Sequence, residues 1–280
     1  MKFAITIVSP PGYVHSAAFH EIAETLHYGL LALGYDSVLT AEGQLPERQH
    51  IVLGANLLPH YPLPLSADAI LYNFEQVQHD SLHFPPEMLA MMRRHTVWDY
   101  NQQNATKLAS LDVQVSAIVP VGYVPELSRI ELAAQPDIDV LFFGSINARR
   151  QATIDQMRAL GLRVETLFGV YGAARDAVIS RAKLVLNVHY YEAKVLEMPR
   201  IAYLLANRCA VLSEHSADPV EDAALANGVK FGSYEELPQM ALSLVVSQDE
   251  RARLAAQGFE LVQSRPITQY LKTALEQVLS

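Results

Sequence analysis

The 280-residue sequence predicts an α/β protein built from two successive parallel sheets, each covered by helices, with a helical C-terminal tail. Three observations carry this prediction. Short β-branched apolar runs alternate with stretches of helical periodicity, as expected for strands that crossover helices bury on both faces. The alternation breaks once, in VPVGYVPELSRIELAAQPD, where Pro120, Gly122, Pro125 and Pro136 mark a linker. Beyond that linker it starts again. Two Rossmann-like domains facing a cleft follow from this repeat of texture, although no repeat of sequence accompanies it.

The elements can be taken in order. Residues 3–8 form an apolar strand that runs into Ser9-Pro10-Pro11-Gly12. A helix is expected over 17–33, since Ile22, Leu26, Leu30 and Leu33 recur at three- and four-residue spacing and Gly34 closes it. Strands are expected at 37–40, 50–53 and 69–72, and Pro85-Pro86 opens a helix through Met92. Strand, helix and strand follow at 96–98, 101–110 and 116–119. In the second half, strands are expected at 138–143, 163–168, 184–188, 209–213 and 229–231. Helices are expected at 147–160, 173–181 and about 195–207. From Tyr234 the chain reads as helical, most clearly at 248–257 and 267–278.

Composition narrows the function classes. Half of the residues are hydrophobic and 18% are charged, which suits a full globular core. No apolar run reaches the roughly 18 residues of a membrane span. The opening MKFAITIVSPPG lacks a small-residue cleavage site and reads as a buried strand rather than a signal peptide. The single cysteine, Cys209, excludes an internal disulfide and a thiolate metal site, and fits a reducing, cytoplasmic setting. A net charge of −9 argues against nucleic acid as a partner. The ten histidines show no paired metal-ligand spacing, so no metal is expected.

Ligands of open parallel sheets bind outside the carboxyl ends of the strands, and four such loops carry unusual residues. In the first, Gly12 lets a ligand approach the backbone, Ser16 is a candidate helix cap, and His15 is either a general base for a hydroxyl or a solvated loop histidine. The second is FFGSINARR. There a strand ends on Gly144, Ser145 or Asn147 caps, and Arg149 and Arg150 fall in the first helical turn. A helix N-terminus attracts anions, and guanidinium suits a diphosphate; the alternative is a solvated arginine pair. The third is VLNVHYYEAKVLEMPR. Proline is tolerated in a first helical turn, so Pro199 places a helix start at 195–198. His189, Tyr191, Glu192 and Lys194 then form the loop, with Glu197 and Arg200 beside the helix start. Lys194 suits phosphate and Glu192 or Glu197 a ribose; the alternative is a local ion-pair network of Glu192, Lys194, Glu197 and Arg200. The fourth group offers Asn56, Asn73, Phe74, Glu75, Gln76, Trp98 and Asp99, which suit sugar faces. Asp99 on its own reads first as a helix N-cap, and Tyr13 and Tyr72 as core.

DVLFFGSINARR together with VLNVHYYEAKVLEMPRIAYLLANRCAVLSE resembles nucleotide-sugar glycosyltransferases of the two-Rossmann GT-B architecture, in particular short bacterial enzymes of the group-1-like type. SPPGYVHSAAFHEIAETLHYGLLALGY, IVLGANLLP, YNFEQV and GSYEELPQMALSLVVSQDERARLAAQGFELV extend the likeness over nearly the whole chain. The resemblance implies an acceptor domain over 1–122, a nucleotide-sugar domain over 137–250, and helices over 251–280 packing back towards the first domain. It implies that Gly144 and Arg149 or Arg150 approach the diphosphate, and that Lys194 and Glu197 contact phosphate and ribose. No cofactor or metal is implied, because cations and helix dipoles stabilise the leaving diphosphate. The sequence departs from many relatives at Tyr203, where a glutamate often stands.

The expectation is therefore a metal-independent glycosyltransferase. It takes a nucleotide-sugar donor and a hydroxyl acceptor (glycan, lipid-linked sugar or small molecule), with His15, Glu75 and Asp99 as candidate catalytic or acceptor-orienting groups. Rival readings are a non-catalytic nucleotide-sugar-binding protein, a nucleotide-sugar epimerase of the same fold, and a DNA-base glycosyltransferase.

Overall fold

A computed structural model describes residues 1–77 and 84–279. The chain divides into two units, residues 1–124 with 266–280, and residues 125–265. The boundaries thus lie at 124 and 265, against 122 and 250 expected from sequence.

Unit 1 begins with β1 (Lys2–Ile7), a 3₁₀ turn (Val14–Phe19) and α1 (His20–Ala32). The helix starts three residues later than expected because Ser16 does not cap it. Its hydroxyl donates instead to the Val8 carbonyl at 2.8 Å, tying the loop to the end of β1. Then come β2 (Asp36–Thr40), β3 (Gln49–Leu53), β4 (Ile70–Asn73), α2 (Pro86–Met92), β5 (Thr96–Asp99), α3 (Gln102–Ala109) and β6 (Ala117–Ile118). The six strands form one sheet in the order β2-β1-β3-β4-β5-β6, with every pairing parallel. Val52, Leu71 and Val97 pack with Met88, Met92 and Leu108 in a core on one side of it.

Unit 2 runs β7 (Ile138–Phe143), α4 (Ala148–Ala159), β8 (Val164–Leu167), α5 (Gly172–Ile179), β9 (Ala182–Asn187), α6 (Met198–Ala206), β10 (Val211–Glu214), α7 (Pro219–Leu225), β11 (Val229–Gly232), α8 (Leu237–Val246) and α9 (Gln248–Gln263). Its sheet is also parallel throughout, ordered β11-β10-β9-β7-β8. Val140, Phe142, Leu184, Leu186 and Leu212 pack against Ile154, Met157, Leu244 and Leu254. Helix α7 was not expected from sequence. Asp218 caps it, accepting from the Val220 and Glu221 N–H groups, and Pro219 occupies its first turn.

The chain then returns to unit 1 as α10 (Ile267–Leu279), which packs on α1. The Ile267 N–H donates to the Tyr123 carbonyl at 3.0 Å. Gly122 makes this approach possible, since a Cβ there would lie 2.5 Å from the Ile267 Cα. The region 251–280 is therefore shared: α9 belongs to unit 2 and α10 to unit 1. Among the described residues, no helix is long and apolar enough to cross a membrane.

Candidate functional site

In unit 2 the strand order reverses between β7 and β9, so the loops leaving their carboxyl ends frame the position where such sheets take ligands. Asn147 sits at the first of these ends. Its side chain accepts from the Arg150 N–H at 2.9 Å, making it the cap of α4. Ser145 is exposed and is not the cap; its carbonyl accepts from Arg150. Gly144 turns the chain at φ +132°, where other residues are strained, and a Cβ would stand 2.8 Å from Arg200 Nη2.

The four cations expected at this site are not equivalent. The Arg150 guanidinium is buried and each of its three nitrogens has a partner: it donates to the carbonyls of Val188 (2.8 Å) and Ser145 (2.9 Å) and to Glu197 (2.5 Å). Arg149 grips Glu214 with both terminal nitrogens (2.7 and 2.5 Å), donates to the His189 carbonyl, and stacks over the Tyr234 ring at 4.0 Å. Both guanidinium groups are tied within the protein, whereas the resemblance expects one of them to approach a diphosphate. The fork geometry that suits phosphate suits a carboxylate equally well, and buried Glu214 and half-buried Glu197 supply one.

Lys194 and Arg200 keep donor capacity. Lys194 meets Glu214 at 2.9 Å, with its side chain 42% exposed and two ammonium hydrogens remaining. Arg200 reaches Asn187 Oδ1 at 2.7 Å and Glu197 at 2.5 Å, while its buried Nε has no hydrogen-bond partner. Burial pulls the Arg200 guanidinium below its ordinary pKa, against the pull of Glu197. His189 is 1% exposed, and both its ring nitrogens lack a partner. Burial lowers its pKa and outweighs Glu197 and Glu214, so the imidazole is held towards neutral. Orphaned buried donors of this kind are rare in finished interiors; the Trp98 indole in unit 1 is another, and His189 and Arg200 both lie around the carboxyl end of β9.

The expected network of Glu192, Lys194, Glu197 and Arg200 is realised only in part. Glu197 pairs with Arg200 and Arg150, Lys194 turns to Glu214, and Glu192 is exposed on the loop. Tyr191 packs edge-on against Tyr190. Pro199 lies in the first turn of α6, which starts at Met198. Tyr203 is buried away from these groups, its hydroxyl donating to Asp176 at 2.7 Å and accepting from Arg129 at 3.2 Å.

Glu214 was missed from sequence. Burial alone would raise its carboxyl pKa, but hydrogen bonds from Arg149 and Lys194 outweigh this and hold it below the ordinary value. The signal was available: an acid closing the run VLSE, at the carboxyl end of the strand beside β9.

In unit 1 the corresponding strand ends carry the acceptor-side candidates. Gly12 adopts φ +76° with open space around a hypothetical Cβ. His15 is half-buried in the 3₁₀ turn, its ring 5.3 Å from that of Tyr13. Burial and the nearby Glu75 carboxylate raise the Tyr13 pKa, which brings the ends of β1 and β4 into one electrostatic neighbourhood. Phe74 stacks on Tyr100 with centroids 5.2 Å apart. Asp99 is wholly buried and is not the cap of α3; that role falls to Asn101. Its oxygens accept from Asn73 Nδ2 (2.7 Å), the Asn101 N–H (2.8 Å) and Asn104 Nδ2 (3.2 Å). Asp99 therefore fastens the loops that carry Glu75 and presents no face to a substrate. Among the described residues, no group of three or more His, Cys, Asp or Glu is placed to hold a metal ion.

No family model matches the chain. Two uncharacterised proteins of Acanthamoeba polyphaga mimivirus match parts of it. One is 33% identical over 114 residues, 40% of this chain and 13% of that protein; the other is 24% identical over 161 residues, 55% and 52%. The matches thus span about half of one relative and about an eighth of the other. Among solved structures, the DNA-modifying enzyme β-glucosyltransferase superposes with a TM-score of 0.61 at 12% identity, covering 100% of both chains. HepE of Anabaena, in complex with UDP and glucose, gives 0.59 at 12% identity over 99% of each. TarM of S. aureus gives 0.60 at 11%, covering 83% of this chain and 55% of that one. These likenesses establish the GT-B fold, two Rossmann-like units in one chain.

Proposed function

We propose that this GT-B chain is a glycosyltransferase that moves a sugar from a nucleotide diphosphate to an acceptor hydroxyl. One observation carries the reading: Lys194, Arg200 and His189 gather uncommitted donors at the switch point of the unit 2 sheet. The diphosphate would be held by Lys194, Arg200 and the N-terminus of α4, with Arg149 and Arg150 bracing them. Glu192 is the carboxylate left to accept ribose hydroxyls, since both oxygens of Glu197 are engaged. Transfer forms a bond between the acceptor oxygen and the anomeric carbon and breaks the bond to the diphosphate. The acceptor proton passes to a general base, for which His15 is the candidate, and Glu75 is the candidate for orienting the acceptor. The leaving charge is met by the chain's own cations rather than a divalent metal.

The test is a melting-temperature panel with UDP-, GDP- and dTDP-sugars, because a ligand of the folded state raises the transition in proportion to its affinity. At least one donor is expected to raise it and to be slowly hydrolysed, with a chelator leaving both effects unchanged. Silence across the panel overturns the reading. Lys194→Ala should weaken nucleotide binding by about tenfold, corresponding to one charge-assisted contact of ~1.4 kcal/mol.

A further inference from the structure

We propose that Glu214 is the positioning residue of this donor site, holding the Lys194 ammonium where the diphosphate takes it up; this rests on the donor site proposed above. Glu214 ends β10, whose register sets Ser213 beside Asn187 of β9, so its carboxylate lies at the mouth of the β9 loop. With 1% exposure it ties β10 to α4 and to the β9 loop, meeting Arg149 of α4 and, on the loop, the His189 N–H at 3.2 Å and Lys194 at 2.9 Å. One carboxylate facing two cations leaves a net positive charge. The Arg149 fork is spent on Glu214 and the His189 carbonyl, so the surplus resides on Lys194.

The Lys194 backbone is itself held out of the ordinary. Its φ is +47°, a left-handed conformation that a lysine rarely adopts without restraint. Three contacts restrain it: its N–H donates to the Tyr191 carbonyl, its carbonyl accepts from Ala217, and its ammonium meets Glu214. A free lysine loses rotamer freedom when it binds a phosphate; one already tethered has lost most of it beforehand. His189 points the same way. Glu214 and Arg149 fix its backbone on both sides, yet its buried ring nitrogens find no partner in the protein. A stabilising role alone would be filled by the Arg149–Glu214 pair and would need neither the strained lysine nor the orphaned imidazole.

Calorimetry with inorganic pyrophosphate on the intact chain tests this through a double-mutant cycle of Glu214→Gln and Lys194→Ala. Each single variant should weaken pyrophosphate binding by about tenfold, and the double variant should be no weaker than Lys194→Ala alone. Additive losses, or Glu214→Gln binding as well as or better than wild type, overturn the proposal; tighter binding would make Glu214 a competitor of the ligand. If Glu214→Gln fails to fold, Glu214→Asp takes its place in the cycle, with the charge kept and the reach to Lys194 shortened. It should bind several-fold more weakly than wild type, and wild-type binding overturns the proposal. A wild-type chain that binds neither pyrophosphate nor any nucleotide diphosphate removes the donor site, and Glu214's role with it.

Discussion

Asp99 accepts hydrogen bonds from three asparagines at the end of β5 with no exposure to solvent. Burial raises its carboxyl from 3.8 to about 7, against the opposing hydrogen bonds of Asn73, Asn101 and Asn104. A folded pKa above the unfolded one means that the fold binds the proton more tightly. The resulting stability is complete below the unfolded value and is lost as pH rises through about 7. Glu221, also raised to about 7 by burial and by Asp218 and Asp222, acts in the same direction. Asp99→Asn should therefore flatten, without abolishing, the fall in melting temperature between about pH 5 and pH 8. An unchanged slope would show that Asp99 is not the titrating group. The same scale shows where sequence reading stops. That Arg149 and Arg150 stand in the first helical turn beyond the carboxyl end of β7 was legible in FFGSINARR. Their partners were not, because Glu214 lies 65 residues from Arg149 and Glu197 lies 47 from Arg150. Only the parallel pairing of β7, β9 and β10 brings them together.

Periodicity and punctuation locate elements well where both are present. Gly34 and Pro199 each mark a helix end that the structure keeps within a residue or so. Helix α7 was lost because it spans only seven residues, too few for a periodic stripe, although Asp218-Pro219 announces it. Strand β10 was read as 209–213 and in fact runs Val211–Glu214, ending one residue later than expected, which hid Glu214. Elements also meet through positions with no side chain to read. Gly122 faces the first residue of α10, where a Cβ would lie 2.5 Å from the Ile267 Cα and 2.6 Å from its nitrogen. Both are backbone atoms and cannot swing aside, so Gly122→Ala should cost about 2–3 kcal/mol as α10 is displaced. Urea unfolding with an unchanged slope would report it, and a midpoint equal to wild type would contradict it.

At the scale of the molecule, unit 2 is one continuous stretch, residues 125–265, whereas unit 1 is completed by residues 266–280. The fragment 125–265 is expected to fold with its own cooperative transition and to bind pyrophosphate. A fragment ending at 124 lacks Ile267, Leu271, Ala274 and Leu275, all of which are buried, and is expected to stay partly unfolded. Loss of cooperativity in 125–265, or a native-like 1–124, would contradict the division.

That division has a consequence for biosynthesis. Domains tend to fold in the order in which they leave the ribosome. Here the half translated first waits for α10, while the half translated second has its whole sequence once residue 265 has emerged. The nascent unit 1 therefore presents the apolar face of α1 that α10 will cover for as long as unit 2 is being made. A translational stall or a proteolytic nick just after Arg265 would leave a finished unit 2 attached to an unfinished partner, with the sticky surface that chaperones bind.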